Sequence, residues 1–138
     1  MSRRARVADG IAAAGGAALL ASAFLHWVGR GPGHSLRGHD LIDTIVALGD
    51  TLPGLSAARL TVLWYFVPAS GAVTWIVVAL RGASSGAMLA TALATGAITL
   101  AAVVAFARLT GVGSLGPGAW LASAGAALVL SATLLARR

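Results

Sequence analysis

Four long runs of apolar residues, separated by short polar segments, make up most of the chain. They cover about residues 10–28, 57–80, 86–107 and 117–136. Because an α-helix rises 1.5 Å per residue, runs of roughly 19–24 residues form helices of about 28–36 Å, enough to cross the hydrocarbon core of a bilayer. The pattern predicts an all-α fold, an integral membrane four-helix bundle that occupies residues 1–138 as a single four-span domain.

The segment between the first two runs, residues 29–56, is the longest polar connection. Its first part is rich in glycine, which disfavours a helix, whereas residues 40–48 place apolar side chains at helical spacing. Asp40 is positioned to serve as the N-cap of this stretch. We therefore predict a short amphipathic helix in the first extracytoplasmic loop, lying on the membrane surface or across the mouth of the bundle.

Pro68 lies near the middle of the second run. Proline has no N–H to donate, and its ring crowds the carbonyl group of Trp64, four residues earlier. A kink in the second span is therefore expected at Pro68.

Tryptophan and tyrosine side chains concentrate near the ends of the runs. Membrane proteins place such rings at the two interfaces between lipid and water, because each ring is largely apolar and carries one polar group. We predict five interfacial anchors, four near the outer boundary and the last near the inner one: Trp27, Trp64, Tyr65, Trp120 and Trp75.

The distribution of arginine predicts the orientation. Cytoplasmic segments of membrane proteins carry an excess of Lys and Arg. An even number of spans puts both termini on one side, together with the connection at residues 81–85, and that side holds six of the ten arginines. We therefore predict a multi-pass protein of the plasma membrane with both termini cytoplasmic.

The first run also permits a second interpretation. A basic N-terminus, an alanine-rich stretch and the small residues Ala21-Ser22-Ala23 are typical of a cleaved signal peptide. The apolar run nevertheless continues through Val28, as a membrane span would. The sequence favours the span and leaves cleavage as the alternative.

The composition agrees with lipid as the main solvent. Hydrophobic residues make up 58% of the chain and charged residues 10%, and a soluble chain this short could not bury so much apolar surface. The net charge is +6, but the arginines lie at segment ends rather than in one tract, which argues against nucleic acid and favours membrane lipids as partners. Arginine and alanine abound while lysine and glutamate are absent, a bias typical of GC-rich bacterial genomes.

The runs themselves offer little chemistry. No charged residue falls in the middle of a run, since Arg59 is only the third residue of the second, whereas pumps and proton-coupled carriers depend on ionisable residues at membrane depth. The absence of cysteine excludes a disulfide or a thiolate metal site. We therefore predict no enzymatic activity, no catalytic residue and no cofactor.

The polar loop contains one candidate metal site, formed by His34, His39 and Asp43. His39 and Asp43 are four residues apart and would share a helix face, and imidazole with carboxylate suits zinc or a similar ion. The competing interpretation gives Asp43 a capping role, three residues after Asp40.

Small residues at spacing four recur in the runs and predict close helix packing. They are Gly10/Ala14, Ala13/Ala17/Ala21, Gly86/Ala90/Ala94 and Gly118/Ala122/Ala126. A separate stripe of the third run consists of Thr91, Thr95 and Thr99. These hydroxyl groups either line a polar path or bond to the preceding turn of their own helix.

Four features stand out in the chain: the boundary of the first span, the end of the Gly/Ser/Arg part of the first loop, and the entries to the second and fourth spans. They are Trp27, Gly38-His39-Asp40-Leu41, Leu63-Trp64-Tyr65-Phe66-Val67-Pro68 and Gly116-Pro117-Gly118-Ala119-Trp120-Leu121. Together they resemble small four-span membrane proteins common in actinobacteria. The resemblance implies the four-span fold and carries no particular activity.

The function predicted from these features is that of a non-enzymatic accessory or scaffold membrane protein. It would associate with a larger membrane complex, or form a homo-oligomer, through its spans and the 29–56 loop. The alternative is a binder or carrier of a small solute, a lipid or a metal, using that loop and the third span.

Overall fold

The computed structural model describes residues 3–30, 36–47 and 57–138, and these are almost entirely helical. The helices are α1 (Arg3–Ser22), α2 (Gly38–Ala47), α3 (Ala57–Arg81), α4 (Gly86–Thr110) and α5 (Pro117–Arg137), with a 3-10 turn at Val112–Ser114. No β-strand occurs among the described residues, where Val28 and Leu115 form only an isolated bridge. The prediction of an all-α fold is confirmed.

Three of these helices are long and apolar enough to cross a membrane. The qualifying segments are Thr61–Arg81, Gly86–Arg108 and Pro117–Arg137. They lie in the second, third and fourth predicted spans.

The first predicted span is only partly helical. Helix α1 carries Arg3, Arg4, Arg6 and Asp9 within its first turns and ends at Ser22. Beyond Ser22, main-chain N–H groups donate to carbonyl groups three residues back, as in Leu25 to Ser22 at 3.3 Å. Such bonds tighten the last turn of a helix and end it, so residues 23–28 continue the apolar run without continuing the helix.

The four long helices form a closed ring in chain order. Helix α1 packs against α3 and α5, and α4 packs against the same two helices from the opposite side. The short connection at residues 82–85 makes α3 and α4 antiparallel neighbours. We call the end where α1 begins and α3 ends the arginine end, and the opposite end the Trp27 end.

Glycine pairs bring α1 close to its two neighbours. A Cβ atom built on Gly15 would lie 2.7 Å from the carbonyl oxygen of Gly125 in α5, and one built on Gly71 in α3 would lie 2.6 Å from that of Gly16. The indole N–H of Trp75 also donates to the carbonyl oxygen of Ala13 at 2.8 Å. Close main-chain approach therefore holds α1 in the ring.

The predicted small-residue stripes have different environments. In α5, the Gly118/Ala122/Ala126 stripe is buried. In α1, Gly10, Ala14, Ala17 and Ala21 are exposed, and the buried face is instead formed by Ala8, Ala12, Gly15, Gly16 and Leu19. The α4 stripe Gly86/Ala90/Ala94 is exposed as well. The buried face of α1 differs from the predicted one because the adjacent Gly15 and Gly16 allow the closest main-chain approach of α1 to its neighbours. The spacing of the alanines does not predict that approach.

The short helix predicted in the first loop is present as α2. It buries Leu41 and Ile42 and exposes Asp43, as an amphipathic helix does. It begins before Asp40, because the N–H of Leu41 already donates to the carbonyl oxygen of Arg37 at 2.9 Å. Asp40 therefore lies in the first turn rather than at the N-cap. In the first turn, its negative charge still interacts favourably with the positive end of the helix dipole.

Helix α3 continues through Pro68 from Ala57 to Arg81. The predicted kink is not accompanied by a break in the helix. Residues 48–56, which include the predicted end of the loop helix, lie outside the described residues.

Candidate functional site

Trp27 is the central residue of the Trp27 end. It follows the last turn of α1, is fully buried and donates its indole N–H to the carbonyl oxygen of Ser22 at 2.8 Å. Its ring lies 5.2 Å from that of Phe106 in α4 and 6.3 Å from that of Trp64 in α3, centroid to centroid. Such tilted and edge-on ring pairs add to the stabilisation from burial.

Two glycines make room for the Trp27 ring. A Cβ atom on Gly118 in α5 would lie 2.6 Å from Cδ1 of Trp27, and one on Gly38 in α2 would lie 3.0 Å from the same atom. Trp27 thus follows α1 and contacts each of α2, α3, α4 and α5. Larger side chains at either glycine would displace it.

Main-chain hydrogen bonds fix the segment around Trp27. The N–H of Gly29 donates to Ser114 at 2.6 Å, and the N–H groups of Gly116 and Gly118 donate to the carbonyl oxygens of Trp27 and His26, both at 2.8 Å. These bonds satisfy polar groups that an apolar environment would otherwise leave unpaired. Among the described residues, a packed ring cluster therefore closes the Trp27 end.

The predicted interfacial anchors divide into two groups. Trp27 and Trp64 are buried inside the bundle, and the indole N–H of Trp64 has no hydrogen-bond partner among the described residues. Tyr65, Trp75 and Trp120 are each about half-exposed or more, and their role as interfacial anchors stays a prediction.

Two of the three candidate metal ligands, His39 and Asp43, lie on α2 within the described residues. Nε2 of His39 lies 3.1 Å from Oδ1 of Asp40, and the His39 ring meets the ring of Phe24 edge-on at 6.4 Å. Asp43 is exposed on α2, and His34 lies outside the described residues. The described part of the chain contains no cluster of three or more His, Cys, Asp or Glu side chains able to hold a metal ion.

A groove on the outside of the ring runs between α3 and α4, with a volume of about 410 Å³. Its α3 wall consists of Phe66, Ala69, Ser70 and Val73, and its α4 wall of Ala90, Thr91, Ala94, Thr95 and Ile98. We call it the α3–α4 groove. The α3 residues recur at positions i, i+3, i+4 and i+7 and so lie on one helix face.

The threonine stripe of α4 behaves in two ways. Thr91 donates to the carbonyl oxygen of Ala87 at 2.9 Å, as expected for a hydroxyl bonded to its own helix. Thr95 and Thr99 are almost fully buried, and their hydroxyl groups have no hydrogen-bond partner among the described residues.

Comparison with protein-family models, curated proteins and solved structures gives no match. No relative therefore supplies a function for any of these residues.

Proposed function

We propose that this chain is a non-enzymatic accessory or scaffold protein of the plasma membrane. In this proposal it spans the membrane four times, has both termini in the cytoplasm and associates laterally with a larger membrane protein or with copies of itself. The observation that carries the proposal is the α3–α4 groove, an apolar surface lined by small residues on the outside of the helix ring.

Helices in lipid associate by close packing at small residues, because lipid tails remove the hydrophobic drive for association. The Gly118/Ala122/Ala126 stripe of α5 is already used in this way, since all three residues are buried in the ring. The matching stripe of α4, Gly86/Ala90/Ala94, is exposed, and no helix among the described residues covers it. This exposed α4 stripe supports the proposal that a helix of another protein molecule packs there.

The groove also has the shape that a helix requires. Phe66 and Ile98 flank it, while Ala69, Ala90 and Ala94 leave room for another backbone to approach. A larger side chain at Ala94 would fill this space, so the packing mechanism predicts that Ala94→Leu weakens association.

The experiment compares tagged wild-type chain, Ala94→Leu and Ala127→Leu after gentle solubilisation of the native membrane. Ala127 is an exposed alanine of α5 outside the groove, so its replacement is the matched control. We expect the same partner to co-purify with wild type and Ala127→Leu, and at least about ten-fold less of it with Ala94→Leu, a loss of roughly 1.4 kcal/mol. Migration of the wild-type chain alone, or equal recovery with both variants, would overturn the proposal.

The buried hydroxyl groups of Thr95 and Thr99 favour one alternative, a binder or carrier of a small solute, a lipid or a metal. Its metal version is tested by replacing His34, His39 and Asp43 with alanine and measuring bound metal by mass spectrometry. If the variant contains as much bound metal as wild type, metal binding at these three residues is excluded.

A further inference from the structure

Basic side chains concentrate at the arginine end. Two contacts show which segments meet there: the N–H of Ala83 donates to Oδ1 of Asp9 at 2.7 Å, and a guanidinium nitrogen of Arg137 donates to the carbonyl oxygen of Ser85 at 3.4 Å. The arginines of these segments are all exposed: Arg3, Arg4, Arg6, Arg81, Arg137 and Arg138.

Acidic residues do not balance this charge. Asp9 is the single acidic residue in the segments that form the arginine end, against six arginines. The remainder of the sequence contains four arginines and three aspartates. The excess of positive charge is therefore concentrated at one end of the bundle, where it attracts anions.

A cleft opens at this end, between α1 and the turn that joins α3 to α4. Its volume is about 330 Å³, and its walls include Ala5 and Asp9 of α1, Leu80 and Arg81 of α3, and Ser84 of the turn. One oxygen of the Asp9 carboxylate is occupied by the N–H of Ala83, so this acid has a structural partner within the turn. Gly82, with φ +73°, gives the turn a conformation that residues with a Cβ atom rarely adopt.

The cleft has a charged side, which carries Arg81 and the Asp9 carboxylate, and an apolar side. Leu80 is 77% exposed, directly before the exposed Arg81. A soluble anion would make no use of Leu80, whereas a phospholipid carries a phosphate and an acyl chain next to each other. Arginine suits the phosphate because its planar guanidinium group can donate two parallel hydrogen bonds.

We propose that this cleft binds the phosphodiester headgroup of an anionic phospholipid, with Arg81 donating to the phosphate and Leu80 contacting the first methylenes of the acyl chain. Basic pockets between membrane helices are known to hold such headgroups. The site extends beyond the proposed scaffold function, because it selects a lipid rather than a protein.

The test titrates the purified full-length chain in detergent with phosphatidylglycerol, and separately with zwitterionic phosphatidylcholine, while thermal unfolding is followed. Arg81→Gln is compared with Arg108→Gln, which removes an exposed arginine near the opposite end. We expect phosphatidylglycerol to raise the Tm of wild type and Arg108→Gln more than phosphatidylcholine does. Removal of Arg81 should weaken the phosphatidylglycerol effect about five-fold.

Equal effects of the two lipids on wild type, or equal losses in the two variants, would overturn the proposal. Inorganic phosphate alone serves as the soluble probe, and a full response to it would assign the site to free phosphate instead. If Arg81→Gln does not fold, a photoactivatable phosphatidylglycerol is cross-linked to wild type. Labelled peptides around residues 80–84 support the proposal, and labelling confined to other segments contradicts it.

Discussion

Replacement of Gly15 by alanine tests the close contact between α1 and α5. A Cβ atom at this position would lie 2.7 Å from the carbonyl oxygen of Gly125 and 2.8 Å from Cγ2 of Val129. A side-chain methyl group can rotate away, but a main-chain oxygen can move only if α5 moves with it. Overpacking of this kind costs about 1–3 kcal/mol.

Gly10 of the same helix is the matched control, because a Cβ atom there would meet nothing within 4 Å. Alanine stabilises a helix over glycine by about 1 kcal/mol, and this gain is common to both variants. Their difference therefore isolates the contact. We expect Gly10→Ala to be neutral or stabilising and Gly15→Ala to be less stable than it by about 1–3 kcal/mol.

The assay is reversible unfolding in mixed micelles with increasing sodium dodecyl sulfate, followed by far-ultraviolet circular dichroism. The free energies of unfolding of wild type, Gly10→Ala and Gly15→Ala are compared under identical conditions. Equal shifts for the two variants would refute close main-chain packing of α1 on α5. The ring of four helices would then lose the contact that places α1 in it.

Two further outcomes follow from the structure and a third from the proposed topology. Trp27→Ala should lower the free energy of unfolding by about 3–5 kcal/mol. Trp120→Ala should change it far less, because the Trp120 ring is 60% exposed. Equal losses in the two variants would contradict a central packing role for Trp27. Thr95→Val should leave the free energy of unfolding unchanged or raise it, because the Thr95 hydroxyl group has no hydrogen bond to lose among the described residues. Thr133→Val breaks a buried hydrogen bond of 2.9 Å to the carbonyl oxygen of Val129 and should lower it by about 0.5–1.5 kcal/mol. A larger loss for Thr95→Val would contradict the view that the Thr95 hydroxyl group is unpaired. Reporters of membrane sidedness at the C-terminus and within Val112–Ser114 should report opposite sides, and the same side for both would contradict the proposed topology.

Hydropathy predicted the helices of this chain but not the contacts between them. The runs at 57–80, 86–107 and 117–136 correspond closely to α3, α4 and α5, since length and apolarity suffice to predict a helix in lipid. The path of the chain after α1 is fixed instead by bonds between residues distant in sequence, such as those from Gly116 and Gly118 to Trp27 and His26. No local pattern carries that information.

The side chains of the candidate site illustrate the same limit. In water, apolar residues indicate the buried face of a helix, but in lipid both faces are apolar and alanine occurs on each. The sequence therefore could not tell the buried stripe of α5 from the exposed stripe of α4. It also could not show that Trp27 and Trp64 are buried while Trp75 and Trp120 are exposed.

The positions of the α3–α4 groove and the arginine-end cleft support the proposed lateral association rather than the alternative of transport. Trp27 fills the space between α2, α3, α4 and α5 at its end of the bundle, so a solute entering there would have to displace a buried ring. The α3–α4 groove and the arginine-end cleft instead open on the outside of the ring. The groove offers the packing surface that a membrane helix requires, and the cleft offers charge to lipid headgroups. Surfaces of these two kinds suit a protein whose partners approach from within the membrane.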